Sequence, residues 1–215
     1  MINNQILSIW KESGMTSYDV VELVKKKTKN KKVGHCGTLD PFADGVMIIC
    51  TGEKTKEIQD FMDLEKEYIA NIKLGYETDT LDKTGSIINE NKVPEINEIK
   101  IVNILKSFLG ETSQIPPFFS ALKLKGIPLY KYARKDIFIR KKPRLVYIKG
   151  LKLIDFTKKS IKIHVNCGKG TYIRSLARDI SYKLDTFGFV DELSRVGLGS
   201  YNKENSISID DLQNA

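Results

Sequence analysis

Between Gly34 and Gly45 the chain reads Gly34-His35-Cys36-Gly37-Thr38-Leu39-Asp40-Pro41-Phe42-Ala43-Asp44-Gly45, then enters the apolar stretch Val46–Cys50. Three glycines and one proline within twelve residues specify a tight, shaped loop in which backbone can approach a ligand closely. Asp40 stands in its middle, and Pro41 biases it toward an extended conformation. By residue chemistry alone Asp40 reads equally well as a turn aspartate and as a reactive carboxylate. His35 alone reads as a satisfied loop imidazole.

The surrounding pattern alternates between periods of two and of 3.6 residues without the regular strand–helix alternation of doubly wound folds. Ile6–Trp10 predicts a strand. Thr16 to about Lys27 predicts a helix, with Thr16 and Asp19 as a capping box and Val20, Val21, Leu23 and Val24 as its apolar stripe. Val46–Cys50 predicts a short buried strand, and Lys66–Leu74 a strand with Tyr68, Ala70, Ile72 and Leu74 on one face. Asn97–Leu109 predicts a helix carrying Ile99, Val102, Leu105 and Phe108, stopped by Gly110. Leu145–Phe156 and Ser160–Asn166 predict paired strands, and Thr171 to about Leu184 a further helix. The expectation is a single α+β domain over residues 1–215 with a mixed, mostly antiparallel central sheet flanked by helices and loops. Gln114–Arg144 breaks the pattern: it holds Pro116, Pro117, Pro128 and Pro143, many bases, and the aromatics Phe118, Phe119, Tyr130 and Tyr132. It reads as an insertion that clasps RNA.

Charge points the same way. The net charge is +8 and the pI about 9.2, a balance suited to a polyanion, because each cation seated on a phosphate releases a condensed counterion. Six lysines fall within Lys25–Lys32, and Arg140-Lys141-Lys142-Pro143-Arg144 forms a second basic group. Cys36, Cys50 and Cys167 stand far apart in sequence and only two histidines are present, so no metal site is expected. The longest apolar run is five residues, against about twenty for a membrane-spanning helix. The N-terminus lacks the pattern of a signal peptide, and a cytoplasmic, monomeric protein is expected. Asp82-Lys83-Thr84-Gly85 has the form of an aspartyl-phosphate motif, but pumps that use it need membrane helices. Glu53 follows Gly52 where a phosphate-binding loop needs Lys-Ser or Lys-Thr, and no G-x-G-x-x-G follows a strand. No cofactor is expected.

Gly34-His35-x-Gly37-Thr38-Leu39-Asp40-Pro41-x-Ala43-x-Gly45 is similar to the signature loop of the TruB family of tRNA pseudouridine synthases. Further segments resemble that family in the same order. They are Lys11-x-x-Gly14-x-Thr16-Ser17, Thr51-Gly52-Glu53-x-Thr55-Lys56, Lys66-x-Tyr68, and Leu74-Gly75-x-x-Thr78-Asp79-Thr80-x-Asp82-x-x-Gly85. Gln114-Ile115-Pro116-Pro117-x-x-Ser120-Ala121-x-Lys123, Tyr130-x-x-Ala133-Arg134, Gly170-Thr171-Tyr172-Ile173-Arg174-Ser175-Leu176 and Leu193-x-Arg195 complete the series. The resemblance covers about residues 6–200.

The resemblance implies the pseudouridine synthase catalytic fold and isomerisation of uridine to pseudouridine in the T-loop of tRNA. It implies Asp40 as the carboxylate that acts on the target nucleotide, Arg174 as the guanidinium that keeps it ionised, and Tyr68 as the ring that stacks on the flipped uracil. It further implies that Tyr172 and Leu193 line the base pocket, that His35 fills the space the base vacates, and that Lys11 and Lys56 bind substrate. Two departures stand out. Glu12 and Ser13 follow Lys11 where relatives usually carry a proline, which is expected to loosen that loop. Asp136 stands where a glycine often follows Ala133-Arg134. The chain stops at Ala215, so a short form without the C-terminal RNA-binding (PUA-type) domain is expected. Two other readings compete. One is a ribosomal-RNA pseudouridine synthase subunit of a guide-RNA particle, which depends on that extra domain. The other is a tRNA-binding or tRNA-folding protein without catalysis, which Asp40, Tyr68 and Arg174 disfavour.

Overall fold

A computed structural model describes residues 4–135, 137–139 and 141–214. The chain begins β1 (Ile6–Lys11), α1 (Ser17–Thr28), β2 (Val33–His35) and β3 (Asp44–Thr51), followed by a 3-10 helix (Gly52–Glu57) and α2 (Ile58–Asp63). It continues β4 (Lys66–Leu74), β5 (Tyr76–Thr78), β6 (Ile87–Glu90), α3 (Glu98–Lys106), β7 (Gly110–Gln114), β8 (Lys123–Leu124), β9 (Ile127–Pro128) and α4 (Leu129–Ala133). Then come β10 (Arg144–Phe156), β11 (Ser160–Cys167), α5 (Ile173–Lys183), β12 (Gly188–Leu198), β13 (Tyr201–Asn202) and α6 (Ile209–Asn214). Two compact units result. One gathers the described residues up to Ile69 with those from Leu193 onward, and the other holds Ala70–Glu192. The chain passes between them within β4 and within β12.

The first unit is built around β3, whose residues from Gly45 to Thr51 are all buried. β1 pairs with it antiparallel from Ile6↔Cys50 to Lys11↔Gly45, and β2 pairs antiparallel from Val33↔Thr51 to His35↔Ile49. The pairing of β12 with β3, through Ser194↔Asp44 and Arg195↔Gly45, is parallel. Helix α1 starts as its sequence predicts: the Asp19 amide donates to Thr16 Oγ1 at 3.1 Å and the Thr16 amide to Asp19 Oδ2 at 2.7 Å. Val20, Val21 and Val24 face the core. At its other end Lys29 takes a left-handed conformation with φ 53°, and Lys25, Lys26 and Lys27 sit where the helix dipole favours cations.

In the second unit β10 pairs antiparallel with β11, as in Leu151↔Val165, and with β7 from Arg144↔Gln114 to Ile148↔Gly110. The hydrophobic face of β11 is the expected one, with Ile161, Ile163 and Val165 buried. Helix α3 packs against β10 and α5. Its buried stripe is Ile101, Leu105 and Phe108, while Ile99 is 74% exposed. The sequence reading placed Ile99 in that stripe, but it lies about half a turn out of phase with Ile101 and Leu105, and Phe108 joins them from just beyond the helix end. The segment read as irregular, 114–144, carries the β8–β9 hairpin and α4. Fold class is as expected: α+β, with a mixed, mostly antiparallel sheet. No helix of the described residues is long and apolar enough to cross a membrane.

Candidate active site

Asp40 lies in the β2–β3 loop, half-buried, and every carbonyl from Gly37 to Ala43 has a donor. The Arg195 guanidinium reaches the Gly37 and Thr38 carbonyls at 3.5 Å each and donates from Nε to Val46 O at 2.7 Å. Ser17 Oγ donates to Leu39 O at 3.0 Å and accepts from the Leu39 amide at 2.9 Å. The Ala43 amide closes a turn on Asp40 O at 3.1 Å, and the Gly14 amide donates to Pro41 O at 2.8 Å. Ser13 Oγ donates to Phe42 O at 2.7 Å, and Lys11 Nζ donates to Ala43 O. The backbone that presents Asp40 is therefore pinned at each peptide. Ser13, which follows Lys11 where relatives usually carry a proline, thus ties its own loop to the one that holds Asp40.

Two buried cations support the bend. Lys11 is fully buried and also donates to the carbonyls of Glu12 and Met15 at 2.8 and 2.9 Å, with Pro41 O at 3.5 Å. Burial pushes its pKa down to about 8; the carboxylates of Asp44 and Asp40 oppose this and the Arg195 guanidinium adds to it. Arg195 is 1% exposed. Gly45 has φ +129°, and a Cβ there would lie 2.4 Å from Arg195 O and 2.6 Å from Arg195 N. Only glycine lets β3 and β12 approach at this point.

His35 ends β2 beside the loop. Its Nδ1 is buried with no hydrogen-bond partner among the described residues. Burial first, then the Arg195 guanidinium, holds its pKa below the ordinary value, so the ring is neutral at pH 7. Tyr68 lies on the buried face of β4, as its alternation predicts, and Leu193 is buried on β12. Lys56 is different: it stands exposed on the 3-10 helix, ion-paired with Glu53. Cys36 and Cys50, fourteen residues apart, are brought by the β2–β3 pairing to an Sγ–Sγ separation of 3.5 Å, so their distance in sequence misleads. Among the described residues no three His, Cys, Asp or Glu side chains gather as a metal site.

Arg174 and Tyr172 belong to the second unit. Tyr172 caps α5, and Gln114, 3% exposed, clamps its backbone: Oε1 accepts from the Tyr172 amide at 2.8 Å and Nε2 donates to its carbonyl at 3.1 Å. Arg174, in the first turn of the helix and buried, pairs with Asp82 at 3.3 Å and donates to Thr80 O at 2.8 Å and Phe119 O at 3.0 Å. The other oxygen of Asp82 accepts from Thr80 Oγ1, the Thr84 amide and Thr84 Oγ1 at 2.8, 3.0 and 2.5 Å. Asp82 is thus a structural carboxylate in a tight turn. Sequence reasoning weighed it only as a misleading motif and assigned no role to Arg195 or Gln114. The ordered series of motifs contained all three, but a buried polar residue leaves no periodic signal.

The fold compares closely with solved structures. A chain of a crystallised Cbf5-Nop10-Gar1 complex matches with TM-score 0.74 at 28% identity, over 96% of the present chain and 52% of that one. A chain of an H/ACA RNP bound to a substrate RNA containing 2'-deoxyuridine matches with TM-score 0.70 at 25% identity, over 96% and 51%. The present chain spans about half of each of these. The architecture is that of a pseudouridine synthase catalytic domain. Residues 25–173 match the N-terminal domain of TruB family pseudouridylate synthases. The protein called tRNA pseudouridine synthase B of Clostridium tetani is 43% identical over 97% of this chain and 72% of its own length. Those of Clostridium acetobutylicum and Francisella philomiragia are 46% and 44% identical over 96% and 98% of this chain, and 71% and 70% of their own. The chain belongs to the TruB family of pseudouridylate synthases.

Proposed function

We propose that this protein isomerises uridine to pseudouridine in the T-loop of tRNA, with Asp40 as the carboxylate that acts on the target nucleotide. The observation that carries the reading is the unbroken set of donors to the carbonyls of Gly37 to Ala43, which holds one acidic side chain in a fixed attitude. The relatives named for tRNA, at 43–46% identity, favour tRNA over the complexes of the solved structures, at 25–28%.

The reaction breaks the C1′–N1 bond, turns the uracil over and forms C1′–C5. The proton on C5 is lost and N1 gains one, so no redox partner is needed. A carboxylate serves this chemistry only while ionised. Lys11 and Arg195, buried beneath the loop, supply positive charge on that side, and Arg174 is the guanidinium that the family resemblance assigns to Asp40. Extruding the stacked base costs a few kcal/mol. His35, neutral and planar, fills the gap by stacking, which a hydrated ammonium could not do. Tyr68 stacks on the uracil, and Tyr172 and Leu193 line its pocket. Lys56 exchanges Glu53 for an RNA phosphate. Lys11 serves substrate binding by shaping the loop.

The test is to incubate unmodified tRNA with the wild type and Asp40→Asn and to map pseudouridine at single-nucleotide resolution. The wild type should modify the T-loop, and the variant should form none while binding within a few-fold of wild type. Normal turnover by Asp40→Asn, or wild-type product only outside the T-arm, would refute the assignment.

A further inference from the structure

Lys141 lies three residues before β10, in the segment read as a clasp. Its Nζ is buried and has no hydrogen-bond partner among the described residues. It rests 4.3 Å from the centroid of the Phe118 ring, which meets the Phe138 ring edge-on at 5.2 Å. Contact with an aromatic face attracts an ammonium only weakly. That does not replace its lost hydrogen bonds to water, since an enclosed ammonium without acceptors is penalised more strongly.

The charged groups that act on Lys141 share its sign. Burial, then the Arg178 and Arg174 guanidinium groups, push its pKa down to about 8, so the ammonium persists at pH 7. The carboxylates of the neighbourhood are engaged elsewhere. Asp82 pairs with Arg174. Asp179 accepts from Arg178 Nε and NH2 at 2.9 and 2.7 Å, and NH2 also reaches Ile115 O at 3.4 Å. Neither contact reaches Lys141 Nζ, which has no partner among the described residues. The ammonium thus lies against an aromatic ring and within the field of two guanidinium groups, and no acceptor among the described residues meets it.

We infer that Lys141, flanked by Arg178 and Phe118, forms a binding site for a backbone phosphodiester of the RNA substrate. A phosphate oxygen supplies an acceptor for the buried ammonium and offsets its charge, while the aromatic wall suits the adjoining sugar or base. The inference rests on the reading of this protein as an RNA-modifying enzyme and gives the clasp a specific contact.

The test uses a fluorescent T-arm hairpin, with anisotropy measured over a salt series for wild type, Lys141→Met, Lys141→Gln and Lys141→Arg. The two neutral variants should bind about 3–10-fold more weakly at ~0.1 M salt, with a slope of log Kd against log salt shallower by about one; Lys141→Arg should keep both. One neutral methylphosphonate in the hairpin should weaken wild type by the same factor and leave Lys141→Met unaffected. An unchanged slope in both neutral variants overturns the proposal. So does calorimetric binding of inorganic phosphate that the neutral variants abolish while RNA binding stays intact, since that marks a free-anion site. Pseudouridine assayed on the same samples keeps the questions apart: wild type that binds the hairpin without isomerising it defeats the proposed function and leaves this site standing.

Discussion

At the scale of single residues, Lys11 shows what a charge does when enclosed by carbonyls. Its folded pKa of about 8 lies below the ordinary value of 10.5. Between those two pH values the unfolded chain binds more protons than the folded one, so stability rises with pH across that window and the full burden is present below it. Relative to Lys11→Met, wild type should gain about 3 kcal/mol between pH 7.5 and 10.5, read as urea unfolding of both at each pH. A flat difference would mean that the ammonium is not buried in solution. Gly45 gives a steric counterpart. Gly45→Ala adds a Cβ 2.4 Å from Arg195 O at φ +129°, and should cost at least about 1–3 kcal/mol with a matching loss of isomerisation. A thermal midpoint equal to wild type would exclude the close approach. Neither cost could be read in advance. Lys11 looks like any basic residue after a strand, whereas the glycines of the loop announced a bend without naming what presses on it.

At the scale of elements, the first turn of α5 is held by side chains remote in sequence. Gln114→Ala removes the side chain that accepts from the Tyr172 amide and donates to its carbonyl, which the Leu176 amide also reaches at 3.0 Å, and should destabilise by about 1–3 kcal/mol, measured by denaturant unfolding; no loss would show that the clamp is replaced by water. Arg174→Ala leaves the buried Asp82 carboxylate uncompensated and should cost about 3–5 kcal/mol. The double variant with Asp82→Ala should lose less than the sum of the two singles. Additive losses would mean that the pair does not couple. Elements with clean periodicity were legible: β4 has the predicted bounds, α1 the predicted cap, and β11 the predicted inward face. β12 was missed because its inward positions include Arg195, and its flanking glycines interrupt any apolar rhythm. The β8–β9 hairpin and α4 were missed because two-residue strands and a five-residue helix fall below what a pattern can carry. Ile99 was misplaced because several apolar residues compete for the helix face, and packing against β10 and α5 decides among them.

At the scale of the molecule, the surplus of cations is unevenly distributed. Lys25 is tied to Glu22 at 2.8 Å and Lys27 to Gln213 O at 2.7 Å, while Lys26, Lys29 and Lys31 share an open hollow with Glu22 and Asn30. Replacing Lys26, Lys29 and Lys31 together by Ala should weaken tRNA binding uniformly across sequences and flatten its salt dependence by about two to three, as anisotropy would show; an unchanged slope makes this face a bystander. The interleaving of the two units also bears on how the protein comes to exist. Gly37 and Thr38 leave the ribosome more than one hundred and fifty residues ahead of Arg195, at separations of 158 and 157. During synthesis the bend around Asp40 therefore waits without its guanidinium brace until the whole of the other unit has been translated. The nascent chain cannot brace this bend early, so its final shape arrives late in synthesis.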